Sequence, residues 1–296
     1  MTPMRIDLHT HSDRSDGTTA PADLVAHAHV LGVDVLALTD HDTTEGWDEA
    51  ATAARRAGVR LVPGIEISCR FAGHGAHLLA YLPDPTYPPL VEELDRILEG
   101  RRSRLPATLD KLRRLGIDLA ADDVRRAAGS AVAMGRPHVA DALVTKGVVR
   151  NRKEAFDSFL RTGGPAYVDR YAAELVAMVR TVSAAGGVSV LAHPWASRHH
   201  HAALDRAGLA RLADAGLAGV EVDHQDHDPA TREALRGLAG DLDLVVTGSS
   251  DYHGAGKLDH ELGCNTTARD CYDRPVDLAR AAAAASGRSA PAVVGA

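Results

Sequence analysis

The sequence is poor in cysteine and in aromatic residues, and it has no long apolar run. Three cysteines occur in 296 residues: Cys69, Cys264 and Cys271. They are odd in number and show neither CxxC spacing nor a disulfide framework, which excludes thiolate zinc knuckles and a disulfide-stapled secreted scaffold. No stretch reaches the roughly 18 consecutive apolar residues of a membrane helix. The opening MTPMRIDLHTHS has no apolar signal-peptide core. A soluble cytoplasmic protein is expected.

Histidine is abundant instead. There are sixteen, many in short clusters beside Asp or Glu, and imidazole is the commonest metal ligand. At 45% hydrophobic content the chain can bury a full core, as one large α/β domain or a domain carrying a smaller insert. The net charge of −7 hides an asymmetry: residues 96–161 hold fifteen Lys or Arg against eight Asp or Glu, a local +7, so the remainder carries −14. Two differently charged pieces follow.

Short Val, Ile and Leu runs alternate with Ala-rich helical stretches, the pattern of βα units around a buried parallel sheet. Seven strands are expected, at 5–8, 34–39, 60–67, 77–82, 188–192, 219–222 and 244–247. Pro21 and Asp23 suit the first turn of a helix running to Leu31 and ending at Gly32. A second helix from about Thr44 to Ala57 should stop at Gly58. From about 90 to 159 the periodicity is helical throughout, with breaks expected at Gly100, Pro106, Gly116, Gly129 and Gly147. This reads as an all-helical insert whose exit is Thr162-Gly163-Gly164-Pro165. After Leu278 a final helix and a loose end are expected.

Polar residues of metal-ligand type stand where the apolar runs finish. The first run leads to His9, His11 and Asp16, the second to Asp40, His41 and Asp42, and the third carries Glu66. Later runs lead to His193, to Asp223 and His224, and to Asp251 and His253. In a parallel barrel such ends converge on one face. His9-x-His11 and Asp251-x-His253 each place two side chains on one face of an extended chain. One HxH pair means little; several such strand ends in one chain point to a metal cluster. His77 opens its run instead of closing it, so an antiparallel strand or a local reversal is needed to bring it in.

The motifs DLHTHSDRSDG (7–17), LTDHDT (38–43), GIEIS (64–68), AHP (192–194) and GSSDYHG (248–254), with GRPH (135–138) in the insert, resemble the PHP (polymerase and histidinol phosphatase) superfamily. The branch resembled is that of nucleotide-bisphosphate phosphatases and 5'-3' exoribonucleases. The resemblance implies an α/β fold, a distorted (β/α)7 barrel formed by residues 1–90 and 166–296, with a helical insert at 91–165 that contributes to substrate binding. It also implies a trinuclear metal site. His9, His11, Glu66 and Asp251 would hold one ion; Glu66 would bridge to a second on His77 and His193; Asp16, His41 and His253 would hold the third. Asp7, Asp40 and Asp42 would orient ring N–H groups of ligand histidines.

Three divalent ions with three carboxylates leave about +3, suited to a phosphate and a metal-bridged hydroxide attacking it in line. The donor set allows Mn, Fe, Zn or Mg, with Mn or Fe expected. Arg136 and His138 are the implied phosphate contacts. Arg101, Arg102 and Arg104 are either a second phosphate clamp or a solvated helix face. His199, His200 and His201 read as exposed, His27, His29 and His74 as structural or surface, while His224 and His227 stay open.

The expected reaction is hydrolysis of phosphate esters of small nucleotides, such as a 3',5'-nucleoside bisphosphate, or of 5'-phosphorylated short oligonucleotides. The alternatives are a histidinol-phosphate phosphatase and a non-catalytic metal-bound module. No membrane and no obligate protein partner are implied.

Overall fold

The structure, a computed structural model, describes residues 4–196, 203–289 and 291–295. His199, His200 and His201 lie outside the described residues. Seven strands make one continuous path: β1 (Ile6–Asp7), β2 (Val35–Leu38), β3 (Arg60–Phe71), β4 (His74–Tyr81), β6 (Val188–Ala192), β7 (Gly219–Asp223) and β8 (Val245–Gly248). A short eighth, β5 (Ala173–Glu174), adds beside β3. Every pairing along the path is parallel except the two that flank β4. A parallel bridge between Thr10 and Tyr252, with His11 N donating to Tyr252 O at 2.9 Å, brings the two ends of the path together. The sheet is thereby a nearly closed barrel.

Side chains alternate across this sheet, and both faces are buried, which is why the strands read as continuous apolar runs. Leu36, Leu38, Ile65, Ile67, Leu78 and Leu191 point outward into the core shared with the surrounding helices. Val35, Ala37, Val62, Leu79, Tyr81, Val188 and Val190 point inward and fill the lower half of the barrel. On the same inward rows, one or two positions further along, stand Glu66, His77 and Glu221. Apolar filling below and a polar layer above thus come from one periodicity.

Helices α1 (Pro21–Val30), α2 (Trp47–Ala57) and α8 (Leu175–Ala184) cover the outside. Gly58 closes α2 in the left-handed region, and Gly32 follows α1 in the same way, as the pattern suggested. α2 starts at Trp47 rather than Thr44, because residues 41–46 are held by turns around the site. The β3–β4 hairpin runs further than the expected strands at 60–67 and 77–82. It turns at Ala72 and Gly73, both with positive φ, in a two-residue loop whose sequence is not a strong hairpin signal.

The helical segment divides by its packing. In α3 (Pro88–Ser103), Leu90, Leu94 and Ile97 enter the barrel's outer core. The helices α4 (Leu105–Arg114), α5 (Ala121–Ala128), α6 (Arg136–Thr145) and α7 (Arg152–Ala155) enclose a separate core around Leu109, Leu112, Val124 and Leu143. Gly116, Gly129 and Gly147 follow helix ends, but Gly100 does not break α3. A Cβ there would lie 3.1–3.2 Å from Tyr171 Cβ and N, so this glycine permits a close approach within the helix. Beyond, α9 (Arg206–Asp214) and α10 (Pro229–Asp241) follow β6 and β7.

The C-terminal expectation needs correcting. α11 (Arg269–Ser286) starts earlier than expected and continues through Pro275, which with Tyr272, Leu8 and Val62 lines a cavity beneath the barrel. The tail is not loose: Val294 and Leu61 exchange backbone hydrogen bonds of 2.9 and 3.0 Å. Among the described residues no helix is long and apolar enough to cross a membrane.

Candidate metal centre

All nine histidines and carboxylates expected as metal ligands converge at the upper end of the barrel. β4 runs against its neighbours, so its first residues lie where the other strands end, and this is the reversal that His77 required. Its partner in the register is Ser68, two residues beyond Glu66 on the same face.

Glu66 sits at the middle. Oε1 faces His77 Nδ1 at 2.7 Å and His193 Nε2 at 3.1 Å, while Oε2 faces His9 Nε2 at 3.3 Å, His11 Nε2 at 3.2 Å and His41 Nδ1 at 3.0 Å. Asp251 Oδ1 lies 3.5 Å from His9 Nε2 and 3.4 Å from His11 Nε2, and those two nitrogens are 3.0 Å apart. Asp16 lies 3.2 Å from His253 Nε2 and 3.6 Å from His41 Nε2.

Four donors about 2.0–2.1 Å from one cation stand about 3.3–3.4 Å apart in a tetrahedron. The contacts among His9, His11, Glu66 and Asp251 have that spacing. Nδ1 of His41, Nδ1 of His77 and Oδ1 of Asp251 are buried without a hydrogen-bond partner. Such atoms are costly unless a ligand satisfies them. The donor set therefore fits divalent metal.

Electrostatics agree. Burial opposes charge on Glu66, Asp16 and Asp251, yet the surrounding imidazoles, with Lys257 for Asp251, hold all three well below the usual carboxylate range. Burial alone would lower His11, but Asp251 and Glu66 outweigh it and raise the imidazole to about 10. Burial dominates at His77, pulled down to about 4. Without metal, protons on part of the histidine set balance the acids, so metal and protons compete for these atoms.

Backbone geometry at the site is strained: His193, Asp251 and Asp42 have φ of 25°, 52° and 57°. At Gly17 a Cβ would lie 2.5 Å from the carbonyl oxygen of His11, so only glycine lets the loop carrying Asp16 fold back on the loop carrying His11.

Among the described residues, none of the carboxylates Asp7, Asp40 and Asp42 makes a direct hydrogen bond to a ligand imidazole; Asp40 reaches one through the Ser15 hydroxyl, 3.4 Å from His11 Nδ1. Asp7 accepts from Ser250 N (3.0 Å) and Gly263 N (2.8 Å). Asp40 accepts from Ser12 N (2.8 Å) and the Ser12 and Ser15 hydroxyls (2.5 and 2.6 Å). Asp42 accepts from Ser68 N (2.6 Å) and Arg101 Nε (2.7 Å). They tie down the segments that carry the ligands: Asp40 and Asp42 flank His41 in sequence and so point the other way, and Asp7 holds the amides of Ser250 and Gly263.

The residue that orients an imidazole directly is Glu221, which the sequence reading passed over. It accepts from His9 Nδ1 at 3.2 Å, from His193 N at 2.9 Å and from the Ser249 hydroxyl. That fixes His9 with Nε2 free toward Glu66 and Asp251. The signal was present as an acid inside the apolar strand GVEVD. Asp223, the strand-end candidate, is turned outward to Arg236 by a bulge between Glu221 and Asp223. Glu221→Gln is expected to weaken metal binding roughly 10- to 100-fold with the fold intact. Metal titration of the stripped variant checks this, and unchanged affinity would exclude the role.

The arginines also sort differently from expectation. Arg102 is exposed beside Glu99, while Arg101 and Arg104 are buried. With Arg136 they line a small pocket at Gly135. Burial, then repulsion from Arg101, Arg136 and Arg170, pulls the Arg104 guanidinium down to about 8, and Arg170, which the sequence reading missed, is pulled to about 10. Guanidinium groups stay charged in proteins, so these shifts express the cost of burial first and of mutual repulsion second, both of which an anion would offset. Among the described residues, only Arg101 of the four has a carboxylate within ion-pair distance, Asp42 at 2.7 Å. Arg101 also donates to Ser68 at 2.9 Å, so the pocket adjoins the His41 loop and the part of β3 that carries Glu66.

Arg136 donates to Leu160 O at 3.0 Å and lies over Phe156 and Tyr167. His138 is not among that pocket's walls. Its Nδ1 accepts from Gly135 N at 3.0 Å, and its ring bonds the backbone at Ser15, so it fastens the insert to the Asp16 loop.

The PHP domain model matches residues 7–113. A 5'-3' exoribonuclease of Haemophilus influenzae is 35% identical over 250 residues, covering 84% of this chain and 90% of that protein. The chain belongs to the PHP family. A second PHP relative, the 3',5'-nucleoside bisphosphate phosphatase of Chromobacterium violaceum, is 33% identical over 87% of this chain and 90% of its own length. Among solved structures, a protein from Bifidobacterium adolescentis described as a metal-dependent phosphoesterase superposes with a TM-score of 0.88 at 34% identity, covering 93% of this chain and 97% of that one. This PHP protein is an enzyme, a metal-dependent hydrolase of phosphate esters.

Proposed function

We propose that this PHP enzyme hydrolyses a phosphate ester of small nucleotides that carry a second phosphate: the monoester of a 3',5'-nucleoside bisphosphate, releasing phosphate, or the terminal linkage of a short 5'-phosphorylated oligonucleotide, releasing a nucleotide. The observation that carries the reading is the arginine pocket beside the metal-ligand cluster. Its walls carry the side chains of Arg101, Arg104 and Arg136, whose planar forks match phosphate oxygens. The two relatives named above act on nucleotides by their names, and neither is a histidinol phosphatase.

His9, His11, Glu66 and Asp251, then His77 and His193 with Glu66, then Asp16, His41 and His253 would hold three ions, with Mn or Fe favoured by the mixed imidazole and carboxylate donors. Bound divalent ions supply Lewis acidity to phosphoryl oxygens and lower the pKa of water. The chain's residues do the rest. Arg101, Arg104 and Arg136, the cations that line the pocket, would hold the second phosphate and set the distance to the scissile ester. Glu221 keeps the His9 tautomer, and Glu66 keeps its two oxygens on opposite sides of the cluster. No side-chain nucleophile is needed: the Ser12 and Ser15 hydroxyls donate to Asp40, and burial pushes the Cys69 thiol up and away from reactivity.

Product release after Mn addition, phosphate from pAp, AMP and histidinol phosphate and nucleotide from short 5'-phosphorylated RNA, tests this. One charge-assisted contact of about 1.5–3 kcal/mol corresponds to roughly 10- to 150-fold, and pAp or the RNA should exceed AMP and histidinol phosphate by such a factor. Equal slow turnover of all four would remove the nucleotide assignment.

A further inference from the structure

A second group of side chains lies behind Asp251: His224, His227 and His260, all buried, with Asp226 and Lys257. The ring centroids of His227 and His260 lie 5.6 and 5.7 Å from that of His224. His224, Asp226 and His260 come close enough to share an ion. Two contacts argue against one there. Asp226 N donates to His224 Nδ1 at 3.1 Å, and the Lys257 ammonium lies 3.4 Å from Asp226 Oδ2.

Those contacts place a proton instead. With Nδ1 accepting, the ring hydrogen of His224 sits on Nε2, 3.2 Å from Asp251 Oδ2. Lys257 Nζ reaches the same oxygen at 2.5 Å. The ring is held from outside as well, because Arg232 donates to the carbonyls of His224 (2.7 Å) and His227 (3.0 Å). The other oxygen of Asp251, Oδ1, has no hydrogen-bond partner and faces His9 and His11.

We propose that His224 and Lys257 are positioning residues that occupy Asp251 Oδ2 with two donors, so that this carboxylate enters the metal centre through Oδ1 alone. A carboxylate left free binds a cation through one oxygen or two. Asp251 stands in a loop at φ 52°, with no strand ladder to hold its side chain. Two fixed donors on one oxygen remove the two-oxygen mode and leave room in the centre for the substrate's phosphate. The inference rests on the metal centre proposed above.

The test is Mn titration of metal-stripped full-length protein, with free Mn followed by electron paramagnetic resonance against a competing chelator and the fold checked by circular dichroism. A neighbouring ammonium repels a metal ion, so on charge alone Lys257→Met should bind Mn more tightly. Positioning has the opposite sign, and the expected result is a loss of affinity of roughly tenfold or more. His224→Phe, which changes no charge if the ring is neutral, should lose a comparable factor. His224→Gln, which keeps an N–H donor, should recover most of it.

Affinity equal to or above wild type in Lys257→Met, or unchanged affinity in His224→Phe, overturns the proposal. If His224→Phe fails to fold, Lys257→Met decides, since its side chain stands at the rim. Wild-type protein that takes up no Mn removes the metal centre and this inference together. Wild-type binding matched by both variants removes only the positioning role.

Discussion

Glu66→Gln is expected to lower kcat/KM by roughly 10³-fold or more and to leave the protein with fewer bound metal ions. The substitution keeps shape and removes the charge. Oε1 lies between His77 and His193, and Oε2 between His9, His11 and His41, so one carboxylate serves donors on both sides. A glutamine offers one weakly basic oxygen and one NH2 group, and the latter cannot bind a cation. Losing several kcal/mol of Lewis-acid stabilisation at about 1.36 kcal/mol per tenfold gives the stated magnitude. Metal analysis of the purified variant beside phosphate release checks both halves. Near-normal turnover with full metal content would remove the bridging role.

Arg104→Met should separate the two phosphates of the substrate. Burial and three neighbouring guanidinium groups pull Arg104 down to about 8, so in the free protein this cation is held against repulsion. On the proposed function, a bound second phosphate would compensate it. Removing the charge is therefore expected to raise KM for pAp roughly 10- to 100-fold, the worth of one charge-assisted contact, with little change in kcat or in AMP turnover. The ligand-free protein should melt at a higher temperature, as a functional charge cluster traded for stability predicts. An unchanged KM for pAp would show that the second phosphate binds elsewhere.

Much of this site was legible in the chain. The apolar runs located the strands because both faces of the sheet are buried, and the ligand types at their ends announced the cluster. The failures share a cause. Gly100 was read as a helix break when it marks contact with Tyr171, and Pro275 hid the start of α11. Asp7, Asp40 and Asp42 carry the right chemistry beside the right ligands, yet they face backbone amides and serines. Glu221 lies 212 residues from His9, and nothing local in GVEVD says which imidazole it holds. The same is true of Arg170, distant in sequence from the arginines of α3 and α6.

The sequence by itself determined which residue types stand at the strand ends and which strand faces are apolar, because strand periodicity and ligand chemistry are local properties. Tertiary structure decided the rest: that β4 reverses and delivers His77, that the bulge after Glu221 turns Asp223 away, and that each oxygen of Glu66 and Asp251 meets its own partners. Those outcomes depend on sheet register and barrel closure between residues as far apart as Thr10 and Tyr252. Such pairings follow from the packing of the whole chain, which no short stretch of sequence encodes.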